Sequence, residues 1–327
     1  MSKENKKVSF LVKKTNELKD EEIKEINDLF NKTFENRLLK PRSMNEFIEK
    51  FSRNFLKFSF HGLMIYENKI IGCYHVIPYE FKYFSNKQLF GQSVDTTIDI
   101  NFRGNIFNLK KLAYSVYDEL KKFNIFFVYG IANEKFYPVK KRILGWNDIG
   151  ELNYYIYPNN LKKILRKINF LNFLICGLLK LYIKLNINIE YIYSSPINKI
   201  DNLMFEGSRY DNNYIISTKK NIKFVYRTVT KKSYNNAKFI YLIDVLPLTK
   251  KNIEYVIEQI LISEKDIDMI LYVGNLKITP RNFYKIPKFF TKKPVIISGK
   301  ILENSIIDNN IFDNKNWNLN LSNFDII

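Results

Sequence analysis

The stretch Val94-Asp95-Thr96-Thr97-Ile98-Asp99-Ile100-Asn101-Phe102-Arg103-Gly104-Asn105-Ile106-Phe107 decides how this chain is read. Its first part reads as a strand, from about Ser93 to Ile100, and a polar loop follows from Asn101 to Asn108. A helix comes next, with Leu109, Leu112, Ala113, Val116, Tyr117 and Leu120 on one face. A strand that runs through such a loop into a helix leaves backbone N–H groups unpaired where the macrodipole is positive. A pyrophosphate is the natural ligand for that arrangement. Gly104 permits close backbone approach, and Arg103 adds a charge-assisted contact. On these residues alone, an ordinary strand-to-helix turn with a surface arginine is the other reading.

Upstream, Asp20 caps a helix with Ile23, Ile26, Phe30 and Phe34 on one face. Ser43 and Glu46 form a capping box ahead of Phe47, Ile48, Phe51 and Phe55. Leu63 to Tyr66 and Ile70 to Ile77 read as a hairpin about Glu67-Asn68-Lys69. Downstream, Ile125 to Ile131 is a strand, and Asn133 to Leu144 a helix with Pro138 in its first turn and Gly145 at its end. Strand–helix–strand of this length predicts a crossover between parallel strands, set among antiparallel neighbours. The second half repeats the order. Tyr214 to Ser217 and Ile222 to Arg227 form a hairpin, Phe239 to Val245 a strand, and Thr249 caps a helix with Ile253, Val256, Ile257, Ile260 and Leu261 inward. Asp268 to Val273 is the strand after it. The architecture is duplicated without a residue-level repeat.

A chain of 327 residues suggests two domains, and 46% hydrophobic residues with 27 Phe and 22 Tyr supply a large core. The net charge of +19 is scattered in pairs and triplets such as Lys140-Lys141-Arg142, with no basic tail. That pattern argues against nucleic acid and suits phosphorylated ligands. His61 and His75 are the only histidines, and Cys73 and Cys176 the only cysteines, so no metal site and no disulfide framework is expected. The polar start lacks an apolar signal core, and the expected location is the cytoplasm. Phe170 to Leu181 is strongly apolar but interrupted by Asn172 and Lys180, short of a bilayer span. It reads as a buried linking helix, or as an interfacial one that would give peripheral membrane contact.

The order of elements, and the stretch from Asp95 through Trp146, resemble the GNAT superfamily of N-acetyltransferases. They resemble most the two-unit members found with bacterial surface-polysaccharide genes. Phe102-Arg103-Gly104-Asn105-Ile106-Phe107 is similar to that family's phosphate loop, Gly130-Ile131-Ala132-Asn133 to the end of its fifth strand, and Leu144-Gly145-Trp146 to its closing motif. Lys223-Phe224-Val225-Tyr226-Arg227, and Trp317-Asn318-Leu319 with Asp325, are fainter matches. The resemblance implies an α/β (α+β) chain of tandem GNAT-like units, each a mixed, mostly antiparallel sheet flanked by helices. Residues 1–157 would be the acyl-CoA-binding unit, 158–190 an apolar linking helix, and 191–327 a second, degenerate unit. It further implies acetyl-CoA as donor, held by Thr96, Thr97, Ile98, Arg103, Gly104, Asn105, Ile106, Phe107, Asn108 and Asn133, and no metal.

Attack of an amine on a thioester needs a base, a group for the carbonyl oxygen and an acid for the thiolate. Asp95 and Asp99 are the candidate bases, being carboxylates on or near the fourth strand, and alternation puts both on one face of it. Two departures stand out. Asn105 or Ile106 replaces the loop's second glycine, and Lys140 and Lys141 occupy the positions of the family's usual tyrosine acid, for which Tyr137, one turn earlier, is the substitute. The expected reaction is acetyl transfer to a small-molecule amine, an amino sugar carried on a nucleotide. Alternatives are an aminoacyl-tRNA-dependent transferase of the peptidoglycan type, and a non-catalytic binding protein of this fold.

Overall fold

The computed structural model describes residues 8–35, 40–131, 133–161, 163–164, 177–178, 181, 191–193, 195–200, 214–288 and 294–324. The expected linking helix, with Cys176 and Phe170 to Leu181, and the tail residue Asp325 lie almost wholly outside them. The chain divides into two compact units. The first comprises Met1–Gly150, Lys199–Leu203 and Ile296–Asn314, and the second Glu151–Asn198, Met204–Val295 and Lys315–Ile327.

The first unit opens with β1 (Ser9–Lys14), α1 (Asp20–Phe34) and α2 (Met44–Ser52). Lys19 rather than Asp20 is the N-cap of α1, its backbone N–H bonded to the Glu22 carboxylate at 2.9 Å. The Ser43–Glu46 capping box forms as expected, at 2.7 and 3.2 Å. Then come β2 (Phe60–Tyr66), β3 (Lys69–Tyr83) and β4 (Asn86–Ile98), three antiparallel strands. The β2–β3 turn has Glu67 and Asn68 both at positive φ, the geometry whose twist matches a tight hairpin. β3 and β4 are longer than the sequence predicted, because Pro78 to Tyr83 pairs with Asn86 to Gly91. Helix α3 (Ile106–Lys121) crosses over to β5 (Ile125–Ile131), which runs parallel to β4. Leu112, Ala113, Val116 and Leu120 of α3 are fully buried against Phe60, Met64, Tyr74 and Val128. A Cβ on Gly62 would lie 2.6 Å from Val116, so the bare glycine lets α3 approach the sheet. The short helix α4 (Tyr137–Arg142) ends before Gly145, whose φ of +67 carries the left-handed turn.

From β6 (Asn147–Pro158) the chain builds the second unit, with Asn153 to Pro158 pairing antiparallel to a later strand. After the short β7 (Ile197–Lys199) come the hairpin β8 (Tyr214–Lys219) and β9 (Ile222–Lys231), then β10 (Ala237–Leu246). Helix α5 (Lys250–Ser263), capped by Thr249 at 3.0 Å, leads to β11 (Met269–Gly274), parallel to β10 and paired with β6. Ile253, Val256, Ile257 and Ile260 of α5 bury themselves among Ile240, Leu242, Ile270 and Tyr272. After the two-residue β12 (Tyr284–Lys285), β13 (Val295–Ile301) joins the first unit, antiparallel to β5.

The duplicated order therefore holds: hairpin, strand, helix, parallel strand occurs in each unit. The simple boundaries expected at residues 157 and 191 do not. β6 supplies the second unit's sheet next to β11, and residues 296–314 return to the first beside β5. In each unit the strand beside the parallel pair comes from a distant part of the sequence.

Candidate active site

β4 and β5 pair only from Leu89 to Gln92 on one strand and Ile125 to Tyr129 on the other. Beyond that point they separate, and a cleft of about 670 Å³ opens between them, lined from one side by β4 and from the other by α4. Of the expected residues, Asp95, Thr96, Thr97, Ile98, Arg103, Asn105, Ile106 and Asn133 line it. Asp99, Gly104, Phe107, Asn108 and Tyr137 do not. Phe107 points to solvent at 82% exposure, so it does not plug the groove.

The start of α3 is less open than the sequence suggested. The Asn105 carboxamide accepts from Phe107 N at 3.0 Å and Asn108 N at 3.3 Å, so two amides expected to face a ligand are capped by the chain itself. The physical reason is the missing second glycine, since an asparagine at that place is a good N-cap. The amides of Gly104, Asn105 and Ile106 make no hydrogen bond among the described residues. Arg103 Nε donates to Ile98 O at 2.7 Å, which fastens the loop to the end of β4. A Cβ on Gly104 would meet nothing within 4 Å. Asn133, at the end of β5, uses its carbonyl oxygen to receive Lys135 N and Phe136 N at 3.1 and 2.9 Å, shaping the turn into α4.

The two carboxylates do not share a face. Asp95 sits at φ +46 in a β-bulge, where Asp95 and Thr96 stand opposite the single residue Tyr74, and the extra residue breaks the alternation. Its carboxylate is held by Arg42 Nη1 at 2.7 Å and Lys50 Nζ at 3.1 Å. Asp99 caps the short turn Ile100–Phe102, accepting from Asn101 N at 3.0 Å, and pairs with Lys32 at 3.2 Å. That backbone bond, with the Lys32 and Arg103 charges, keeps its carboxyl below the usual range despite some desolvation. Tyr137 is turned aside in the same way. Its hydroxyl donates to Asp148 Oδ2 at 2.7 Å, an oxygen also bound by Lys141 at 2.6 Å, and desolvation followed by Asp148 raises the phenol.

The histidines face each other inside the unit, Nδ1 to Nδ1 at 2.9 Å, with Thr15 Oγ1 2.8 Å from His61 Nε2 and Phe47 and Phe51 packed on both. Burial holds both well below the ordinary imidazole value, helped at His61 by His75 and then Arg42, and at His75 by Arg42 and Lys50. Burial also pushes the Cys73 thiol up to about 12. None of the three lines the cleft. No group of three His, Cys, Asp or Glu among the described residues could hold a metal ion, and no described helix is long and apolar enough to cross a membrane.

Solved structures share this arrangement. An Enterococcus faecalis protein described as a probable N-acyltransferase superposes with a TM-score of 0.58 at 13% identity, over 91% of this chain and 73% of its own. A GCN5-related N-acetyltransferase from Anabaena variabilis gives 0.56 at 10% identity, over 90% and 73%. One from Kribbella flavida gives 0.57 at 5% identity, over 91% and 71%. The fold is that of the GCN5-related N-acetyltransferases. No protein-family profile and no curated protein matches the sequence.

Within this GNAT fold the cleft is also lined by Lys135, Lys140 and Arg142, to none of which the sequence assigned a role. Lys140, on α4, is 2% exposed and lines the cleft. Its Nζ lies 3.9 Å from the centre of the Trp146 ring, and among the described residues it forms no ion pair or hydrogen bond. Desolvation pushes its amine down to about 7. The Trp146 ring is set by its indole N–H, which donates to Tyr117 OH at 3.0 Å, and Tyr117 OH in turn stands 2.9 Å from Tyr74 OH. The sequence signal existed, because Lys140 stands one turn before Leu144-Gly145-Trp146. A lysine within a basic triplet reads as solvated, and only the fold shows it turned inward.

Proposed function

We propose that the chain is an acyl-CoA-dependent acyltransferase, transferring an acetyl group to the amine of a small acceptor. The observation that carries this is the cleft where β4 and β5 part, with amides of Gly104, Asn105 and Ile106 at one end that make no hydrogen bond among the described residues. The edge of β4 that β5 leaves unpaired, from Ser93 to Ile98, spans about 17 Å at roughly 3.3 Å per residue, and it offers peptide groups along that length to a pantetheine arm. The residues present fit the donor. The three amides and the Arg103 guanidinium, which keeps Nη groups beyond its bond to Ile98, would hold the diphosphate. The donor supplies a thioester carbonyl for attack, and the dry wall of Ile98, Leu109, Val139 and Ile143 excludes water that would hydrolyse it.

The acceptor reading is an amino sugar carried on a nucleotide, of the surface-polysaccharide precursor class. The net charge of +19 and the two-unit resemblance support it. The capping of Phe107 N and Asn108 N by Asn105 favours a second reading, transfer from a donor without a pyrophosphate, such as an aminoacyl-tRNA. Calorimetric titration of the full chain with acetyl-CoA separates the two. The first requires saturable binding that desulfo-CoA competes. A flat isotherm at millimolar donor, with salt-dependent tRNA binding, selects the second.

A further inference from the structure

We propose that Lys140 is the catalytic acid of this cleft, protonating the sulfur of the departing thiolate. The proposal rests on the acyl-CoA reading above and assigns one of its steps to a residue.

The placement is specific. Lys140 Nζ stands at the throat of the cleft, because a Cβ on Gly130 would come within 3.3 Å of it and within 2.8 Å of Ser93 O. Ser93 and Gly130 are the residues just past the last β4–β5 pair, Gln92 with Tyr129. A donor fixed by its phosphates at the start of α3 and laid back along β4 brings its thioester end to that throat. Lys140 is 2% exposed, so its ammonium has given up water. What it has instead is the face of Trp146 at 3.9 Å, which favours the charged form, against a dry surrounding that favours the neutral one.

No carboxylate among the described residues settles that balance. On α4 itself, Tyr137 and Lys141 are spent on Asp148 of β6, and Arg142 lies along the cleft wall. From α3 comes Tyr117, bonded to Trp146 and Tyr74. From β13 comes Lys300, beside Gly145, and from β4 comes Asp95, bound to Arg42 and Lys50. The loop before α4 adds Lys135. The proton on Lys140 is therefore governed by burial and the rings of Trp146 and, at 6.0 Å, Phe136, and an acid so poised works close to neutral pH.

The step balances. The acceptor nitrogen bonds to the carbonyl carbon, the C–S bond breaks, and its electron pair goes to sulfur. Lys140 Nζ gives one proton to that sulfur, making a thiol. The neutral Lys140 then takes one proton from the nitrogen, which must lose it on becoming an amide.

The test uses the full chain, acetyl-CoA, and hydroxylamine as an acceptor that is uncharged at neutral pH. Lysine-labelled protein is titrated by NMR, with Lys140→Met identifying the Lys140 signal. The expected midpoint is near neutrality, in the absence of any donor. Lys140→Met, which fills the same space without a charge, is expected to bind acetyl-CoA normally and to lose about 10²–10³-fold in thiol release. Thiol release by the parent should decline as pH rises through the Lys140 midpoint, and in Lys140→Arg that decline should move to higher pH. A Lys140 signal that titrates with the surface lysines overturns the proposal. So does thiol release in Lys140→Met equal to the parent's, or a parent chain that binds acetyl-CoA and releases no thiol at any pH. Failure of the parent to bind acetyl-CoA overturns the acyl-CoA reading itself, and this proposal with it.

Discussion

Arg42 Nη1 lies 2.7 Å from Asp95 Oδ2 while the Arg42 guanidinium stacks 3.7 Å from the centre of the Phe30 ring. One side chain thus joins α1, the start of α2 and the bulge of β4. Arg42 Nε also reaches Asn27 Oδ1 at 2.7 Å. The bulge keeps Asp95 at positive φ, a conformation that costs free energy and persists only when neighbours hold it. Both partners are mostly shielded from water, so removing Arg42 leaves Lys50 alone to balance the Asp95 carboxylate. Arg42→Met is expected to destabilise the chain by about 3 kcal/mol, with Asp95→Asn costing less. Urea unfolding of the two variants checks the order. A loss under a few tenths of a kcal/mol for Arg42→Met would show the clamp to be ornamental.

The buried His61–His75 pair makes stability depend on pH. Both imidazoles have folded pKa values below their unfolded ones, so the fold favours the neutral rings. Their contribution is present above the unfolded value of about 6.5 and is lost as pH falls below it, because only the unfolded chain then takes up the protons. Each histidine is expected to cost about 1.4 kcal/mol per pH unit below that value. Urea midpoints at pH 7.5 and 5.5 should differ accordingly, and His75→Phe should flatten the slope by about one proton.

Asn105 trades ligand amides for a helix cap. In Asn105→Gly the cap is lost at a cost of only a few tenths of a kcal/mol and Phe107 N is released, while Asn108 N keeps its bond to the backbone carbonyl of residue 105 at 3.2 Å. On the acyl-CoA reading this variant should bind acetyl-CoA several-fold more tightly, roughly 1 kcal/mol, as one further amide meets the phosphates. Unchanged calorimetric affinity would place the diphosphate elsewhere.

Tyr117 is the centre of a buried chain between Tyr74 OH and Trp146 Nε1. Tyr117→Phe leaves both of those groups without their partner, and a loss of about 2 kcal/mol is expected. Because Trp146 forms the wall against which Lys140 rests, its fluorescence should shift in the same variant. A stable variant with native fluorescence would contradict the chain.

In the second unit, Asn320 Nδ2 donates to the buried Asp244 Oδ1 at 2.8 Å, and Asn320 Oδ1 receives Ser322 N at 2.9 Å. Asp244 also lies at a register shift, in the strand that corresponds to β4. Asn320→Ala is expected to cost about 2 kcal/mol by removing a partner from a buried carboxylate. Asn320→Asp should cost more, since it sets two carboxylates together. Thermal unfolding ranks the two.

Much of the fold was legible because its signals are local. The Ser43–Glu46 box and the Thr249 cap are satisfied within one helical turn. The Glu67-Asn68 turn needs only residues that tolerate positive φ, and the inward faces of α3 and α5 follow from spacing along one helix. The cleft position was legible too, since a strand running through Arg103-Gly104 into α3 is a contiguous pattern.

The residues that do chemistry were harder to read. Alternation along Val94 to Asp99 fails because a bulge opposite Tyr74 inserts one residue, and a bulge is a property of two strands together. Asp95, Asp99 and Tyr137, the candidates taken from the sequence, are each engaged by a partner distant in sequence or across a turn: Arg42, Lys32 and Asp148.

The sequence by itself determined the helices, the hairpins, the crossover in each unit and the approximate place of the cleft. Those depend on dihedral preferences and on periodic burial of nearby side chains. Only the tertiary structure decided that β6 and β13 leave their neighbours in sequence to complete the two sheets, and that Lys140 of a basic triplet lies buried on Trp146. Strand partnership and desolvation are set by what packs alongside from afar, and no local pattern encodes that.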